Sequence, residues 1–328
     1  FASFVACISE REEIRHFTAG AVSRVIEYSS RLTGSKDKMS TRFNELIEVL
    51  YEADAWAGTE EADYVERKHV NRAIKEKEAR LSLPEEKIQE MISREHILVD
   101  LEGETVGQIN GLSVYQTGQY SFGRPSRITA RTYLGQEGVI NIEREVDMSG
   151  KIHNKGVMIL SGYLGGKYAQ ERPLSLSASL AFEQNYGGID GDSASCAELI
   201  ALLSALSGIP VDQGLALTGS MNQKGEVQPI GGVNEKVEGF YKVCQLRGLN
   251  GQGVIIPRQN VDNLMLKNEV IAAVKEGDFR IYPVATIDEI IELIMNKPAE
   301  IVHEKVGEAL EGFANRAEKF DKNEKNGD

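Results

Sequence analysis

The sequence predicts an α+β or α/β protein in which an all-α helical unit precedes an α/β domain, and three observations predict it. From Ser9 to about Arg80 apolar residues recur at helical spacing. From near Thr105 glycine becomes frequent, and short β-type runs appear between turn residues. Beyond Gly187, helix-like and strand-like stretches alternate. With 328 residues, 41% of them hydrophobic and 27% charged, the composition is that of a globular chain with room for more than one core.

The first unit reads as a set of helices. "TAGAVSRVIEYSSRLTG" places Val22, Val25, Ile26 and Leu32 on one face, between Thr18 as cap and Gly34 as stop. "STRFNELIEVLYEADAWAG" repeats the scheme, with Ser40 as cap, Phe43, Leu46, Ile47, Leu50 and Ala57 inward, and Gly58 as stop. "VERKHVNRAIKEKEAR" is another such helix. Charged residues dominate from Lys75 to Glu95 and are interrupted by Pro84, the pattern of a solvated helical connector. Four β-type runs follow, "GQINGLSVYQTG", "SRITARTYLG", "GVINIEREV" and "GVMILSGYL", and then a strand in "LSLSASLAFEQN". The alternating part then holds a helix from about Ser193 to Ser207, "GLALTG", an "NQKG" turn and "GEVQPIGG". It continues with a helix from about Asn234 to Arg247, "GVIIP", a helix around Leu264 to Glu276, "FRIYPVAT" and the helix "IDEIIELIMN". The expected boundaries are 1–80, a connector over 81–105, a domain over 106–297, and a tail over 298–328 with one amphipathic helix ahead of the disordered "EKFDKNEKNGD".

A net charge of -13 repels phosphate backbones and anionic lipid, and no basic patch offsets it, so a nucleic-acid partner is disfavoured. Cys7, Cys196 and Cys244 are odd in number and far apart, which argues against a disulfide framework or zinc site and fits a reducing cytoplasm. No run approaches the roughly 20 apolar residues of a spanning helix, and no signal segment opens the chain. Opening at Phe1 in mid-pattern, without Met, the chain reads as a piece of a longer protein.

The chemistry centres on "GGIDGDSASCAELIAL". Asp192, Ser193 and Ser195 are all good helix caps, and Ser195 with Glu198 matches an S-x-x-E capping box, so Ser193 reads locally as a cap. The same helix start offers unpaired amides and a positive dipole end, which suit an oxyanion, so Ser193 reads equally as a nucleophile. "GDS" is not followed by two glycines as in trypsin-like proteases, and Ser195 stands where a G-x-S-x-G elbow needs its second glycine. Of the five histidines, His16, His69, His96 and His303 lie outside the domain, and His153 sits in an expected turn. The better base is Lys236 in "PIGGVNEKVEGFYKVC", in the first turn of a helix. There the dipole opposes its charge, and partial burial would lower its pKa further. A neutral lysine can deprotonate a serine, whereas a surface lysine at a helix start is the commoner case.

"IDGDSAS", then Thr218 in "LALTGS" 25 residues after Ser193 and Lys236 in "PIGGVNEK" 43 residues after it, resembles the proteolytic domain of Lon proteases over about Gly107 to Asn296. The resemblance implies a Lon-type α/β proteolytic domain and a Ser-Lys dyad endopeptidase. Ser193 would be nucleophile, Lys236 general base and then acid, Thr218 would orient the lysine, Asp190 would lie beside the site, and amides near Ser193 would hold the oxyanion. It further implies a homohexameric ring acting on unfolded protein chains. The helical unit resembles the small α-helical subdomain of an AAA+ ATPase, with "KMSTRFNELIEVLYEADAWA" as the sensor-2 segment and Arg42 reaching ATP phosphates. No G-x-x-x-x-G-K-[ST] occurs, and "GYLGGKY" has Tyr168 in the Ser/Thr place. Peptide hydrolysis is therefore expected to need no cofactor or metal in this chain, ATP and Mg being expected in the full-length protein. The rival readings are a non-catalytic ring-forming or substrate-binding module with the same fold, and a nucleotide-binding module resting on Arg42.

Overall fold

The computed structural model describes residues 1–325, with side chains through Lys319, and divides them into two units. One comprises Phe1–Gln89 with the short segments Gln116–Ser121 and Asp262–Met265; the other comprises the remainder. In the first, α1 (Ala2–Arg11), α2 (Ala19–Thr33), α3 (Phe43–Thr59) and α4 (Arg67–Leu81) bury Val5, Ile8, Val25, Leu50, Val70 and Ile74 in one cluster. Thr18 caps α2 by accepting from the Ala21 amide, and Gly34 ends it in the left-handed conformation, as its sequence predicts.

The next helix departs from its prediction at both ends. Ser40 accepts from the Arg42 amide and donates its own amide to Ser29 Oγ, so it fastens the loop, and Arg42 holds the cap position of α3 without a side-chain bond. Phe43 is 45% exposed with its ring against Phe4, and Leu46, Val49, Leu50, Ala53 and Ala57 form the inward face. Gly58 lies inside the last turn, beside the Arg15 guanidinium, and the helix ends at Thr59. The connector is helical only through α5 (Leu83–Ser93); the chain then runs without regular structure, burying Ile97, Val99 and Leu101.

The second unit is a mixed α/β domain. After β1 (Glu104–Thr105) come β2 (Gln108–Thr117), β3 (Tyr120–Leu134), β4 (Gly138–Asn141), α6 (Ile142–Glu145), α7 (Lys151–Tyr168), β5 (Leu176–Phe182) and α8 (Ser195–Ser207). Then come β6 (Val211–Asp212), β7 (Leu215–Leu217), β8 (Ser220–Met221), β9 (Val227–Gln228), α9 (Val233–Arg247), β10 (Gln252–Pro257), α10 (Asn268–Glu276), β11 (Phe279–Val284), α11 (Ile287–Met295) and α12 (Ala299–Lys325). Seven strands form one sheet in the order β11-β10-β7-β2-β3-β5-β4, while β1 pairs with β6 and β8 with β9. Strands β2, β7, β10 and β11 run parallel to their neighbours in that half, and β5 runs antiparallel to β3 and parallel to β4.

Helix α8 is apolar on nearly every side, the pattern of a helix enclosed by others. Leu199, Ile200, Leu202 and Leu203 have no exposed surface, each contributing about 1.5–3 kcal/mol by burial, and Val302 and Val306 of α12 join the same cluster.

Four expectations need correction here. "GVMILSGYL" is not a strand but the middle of α7, whose inward residues His153, Gly156, Val157, Leu160, Tyr163 and Leu164 recur every three or four positions. "GVINIEREV" is a strand only through Asn141, which caps α6 by accepting from the Arg144 amide. The helix expected from Leu264 starts at Asn268, after a 3-10 turn over Arg258–Asn263. Helix α12 continues through Lys325 into the tail expected to be disordered, whose last three residues lie outside the described ones.

Candidate active site

Ser193 sits in the turn that feeds α8. Gly191 there has φ of +91°, a conformation that side-chain-bearing residues rarely adopt. The Ser193 carbonyl is held from the far end of β7, accepting from the Gly219 amide at 2.8 Å and from Thr218 Oγ1 at 3.2 Å. Cys196 returns the tie, its amide donating to the Gly219 carbonyl. The turn and the segment after β7 are thus one hydrogen-bonded unit, although 25 residues separate Ser193 from Thr218.

Lys236 comes from the first turn of α9, which begins after Gly232. Helix α9 is seated directly on β3 by two glycines. A Cβ on Gly123 would lie 2.1 Å from the Glu235 carbonyl oxygen and 2.7 Å from Lys236 Cα, and one on Gly239 would lie 2.0 Å from the Gly123 oxygen. This close approach sets the depth of Lys236, which is 2% exposed. Its Nζ donates to Ser193 Oγ at 2.7 Å and to Thr218 Oγ1 at 3.0 Å. Burial pulls the Lys236 ammonium down to about 8, against the charges of Asp192 and Glu235, which favour its protonated form.

The hydroxyl of Thr218 gives its proton to the Ser193 carbonyl, so only its lone pairs face the lysine. A neutral Lys236 can therefore donate N–H to Thr218 and turn its own lone pair toward Ser193 Oγ. The structure thus brings Ser193, Thr218 and Lys236 together from three elements distant in sequence.

The capping alternative fails on geometry. Ala194 holds the cap position of α8 with no side-chain bond, Ser193 Oγ is engaged by Lys236, and Ser195 Oγ donates to the Asp192 carbonyl. Glu198 is buried among Asn141 and His153, so the capping box does not form. His153 lies on α7, not in a turn.

Asp190, three residues before Ser193, is engaged by the start of α7. Its Oδ1 accepts from the Ile152 and His153 amides, capping α7. The neighbouring carboxylate whose charge reaches Lys236 is that of Asp192, which sequence reasoning took only for a cap. Its adjacency to Ser193 was the available signal; nothing local marked Gly123 or Gly239. Arg42 is 68% exposed at its side chain and pairs with Glu45 at 3.3 Å. Among the described residues no group of three or more His, Cys, Asp or Glu could hold a metal ion, and all three cysteines are free.

Residues 187–297 match the model of the Lon protease (S16) C-terminal proteolytic domain, and residues 16–80 that of the archaeal LonB AAA+ ATPase LID domain. A protein of Escherichia coli (strain K12) described as a Lon protease homolog is 40% identical over 275 residues, covering 83% of this chain and 46% of that protein. A Lon protease homolog of Haemophilus influenzae (strain ATCC 51907 / DSM 11121 / KW20 / Rd) is 48% identical over 209 residues, 63% of this chain and 35% of the relative. An archaeal Lon protease of Archaeoglobus fulgidus (strain ATCC 49558 / DSM 4304 / JCM 9628 / NBRC 100126 / VC-16) is 32% identical over 286 residues, 86% and 43% respectively. The chain spans less than half the length of these relatives. With a LID region ahead of a proteolytic domain, this chain belongs to the Lon protease family.

Proposed function

We propose that this chain is a Lon-type serine endopeptidase working through a Ser193-Lys236 dyad. The observation that carries the reading is the 2.7 Å contact between Ser193 Oγ and a lysine that is 2% exposed and lowered to about 8. A buried lysine near neutrality in pKa is a competent general base, and ordinary surface lysines are not.

In the proposed reaction neutral Lys236 takes the Ser193 hydroxyl proton as Oγ bonds to the scissile carbonyl carbon. The carbonyl electron pair moves to its oxygen. Lys236 then gives the proton to the departing amine as the carbonyl re-forms and the C–N bond breaks; in hydrolysis of the acyl-enzyme the same lysine takes a proton from water as it bonds to the acyl carbon, and returns it to Ser193 Oγ as the Oγ–C bond breaks. Thr218 orients Lys236. Among the described residues the Ser193 and Ala194 amides find no backbone acceptor, which leaves donors at the start of α8 for the oxyanion.

The wider expectations belong to the same proposal. The substrates are unfolded protein chains, the assembly is a homohexameric ring, and hydrolysis is coupled to ATP in the longer protein. The LID match supports that coupling, and Arg42 is proposed as its phosphate-facing arginine. No described helix is long and apolar enough to cross a membrane. A cytoplasmic site of action rests on the unpaired cysteines.

Labelling by a serine-directed fluorophosphonate, read by mass spectrometry, tests the reading. Ser193 becomes labelled, and Ser193→Ala abolishes both labelling and casein hydrolysis while the circular dichroism spectrum is unchanged. Hydrolysis by the alanine variant at the wild-type rate overturns the assignment, and an unlabelled, inactive but folded wild type favours the non-catalytic module.

A further inference from the structure

A second buried polar group lies next to the nucleophile turn, on the first turn of α8. Glu198 has no exposed surface, and no lysine or arginine pairs with it among the described residues. Its Oε1 accepts from Asn141 Nδ2 at 3.4 Å and lies 3.5 Å from His153 Nε2. Asn141 Oδ1 is committed to the Arg144 amide, so its NH₂ group faces His153 Nε2, at 3.0 Å, as well as Glu198. The His153 Nε2 atom therefore accepts, the ring carries its proton on Nδ1, and the imidazole is neutral, in keeping with burial lowering its pKa.

The other groups facing this pair are acidic. Glu143 of α6, itself buried, accepts from the Phe182 amide at 2.7 Å, and Glu183 lies beyond it. Asp190 faces His153. Glu143 Oε2, Glu198 Oε2 and His153 Nδ1 are all buried without a partner. A second carboxylate charge enclosed beside Glu143, with no cation, is strongly unfavourable, whereas an uncharged acid needs only ordinary hydrogen bonds. Burial and the Glu143 charge accordingly push Glu198 up to about 8.

The same residues grip the turn that carries Ser193. Asp190 accepts from the amides of Ile152 and His153, the Ile189 amide donates to the Met148 carbonyl while the Ile189 carbonyl accepts from the Gly150 amide, and the main chain of Gly191 lies against the His153 ring. Residues 189–191 and the start of α7 are thereby one unit, with Ser193 two residues further on.

We propose that Glu198 and His153 are positioning residues for the Ser193 turn: Glu198, in its protonated form and bridged by Asn141 to neutral His153, locks the first turns of α7 and α8 around residues 189–193. The inference rests on the reading of Ser193 as the nucleophile. Loss of the Glu198 proton loosens that lock over the same range in which Lys236 becomes neutral, so wild-type hydrolysis passes through a maximum near pH 8 and declines above it.

Glu198→Gln, which stays neutral at every pH, and Glu198→Ala test this in the full chain. Because the Glu198 pKa is raised above its ordinary 4.5, the folded wild type loses stability between that pH and about 8, and the glutamine variant does not. The melting temperature of Glu198→Gln relative to wild type therefore increases from pH 5 to pH 8. A constant difference across that range overturns the protonated state. Amide hydrogen exchange at pH 7 of the peptide covering 187–194 is wild-type-like in Glu198→Gln and at least several-fold faster in Glu198→Ala. Equal exchange in the two variants overturns the positioning role, and neither measurement requires activity. With a fluorogenic peptide, Glu198→Gln keeps the wild-type rate at pH 7 and lacks the alkaline decline, while Glu198→Ala lowers kcat at constant KM. A decline that persists in Glu198→Gln overturns the inference and leaves the dyad standing; failure of Ser193 to be labelled overturns the dyad, and the melting and exchange results still decide the state and grip of Glu198.

Discussion

Replacing Lys236 by methionine, a side chain of similar length with no charge, isolates what the buried lysine costs the fold. At neutral pH the folded chain holds a cation whose pKa has fallen from 10.5 to about 8. At about 1.4 kcal/mol for each pH unit, that fall amounts to about 3 kcal/mol of destabilisation wherever both folded and unfolded lysine are protonated. Methionine removes this cost but leaves the Ser193 and Thr218 hydroxyls without their donor, a loss of about 1 kcal/mol each. A net gain of about 1 kcal/mol at pH 7 is the expected result. The sign of the pH dependence follows from the lowered pKa of a base. The wild type sheds its folded-state proton first, near pH 8, and recovers stability until the unfolded lysine also loses its proton near 10.5. Lys236→Met therefore loses its advantage over that window, its stability relative to wild type falling by about 3 kcal/mol. Urea unfolding of both proteins at intervals from pH 7 to 10.5, followed by circular dichroism, measures the swing. A difference between them that does not change with pH would mean that Lys236 is not strained by burial, and the argument for its basicity would fall.

Three further outcomes follow from the same geometry. Peptide hydrolysis by Glu198→Gln, which lacks the alkaline decline, climbs about tenfold from pH 7 to the region of pH 9 as the neutral fraction of Lys236 grows. Lys236→Arg, whose guanidinium stays protonated, is folded and inactive throughout, and near-normal turnover by a well-folded arginine variant refutes the base assignment. Gly123→Ala drives a methyl group into the α9 backbone at Glu235 and Lys236, costing about 1–3 kcal/mol and displacing the lysine. Melting and turnover measured together check this, since unchanged turnover would show that the seating of α9 on β3 does not set the dyad.

Signals that act over a few residues were legible in the sequence. Thr18 and Gly34 bound α2 because a cap and a left-handed glycine are properties of a single helix end. The helix expected from about Ser193 to Ser207 forms as α8, and the order and spacing of Ser193, Thr218 and Lys236 marked the chain's family. The same local logic misled where one pattern serves two structures. "GVMILSGYL" is apolar and flanked by glycine in a strand as in a buried helix, and only the tertiary structure shows it as part of α7, with Gly156 close to Asp192 and Ser195 beside the turn that carries Ser193. Phe43 is apolar, yet it lies on the open side of α3. Asp190, which the family resemblance put beside the site, and Asp192, which read as a cap, differ by two residues, and only the structure shows the first bonded to the α7 amides and the charge of the second reaching Lys236. What only the tertiary structure decided was the meeting of Ser193 with Lys236. Forty-three residues apart, they touch because the segment after β7 holds the Ser193 carbonyl while two glycines let α9 sink onto β3, and such contacts depend on sheet order and backbone approach, which no short stretch of sequence encodes.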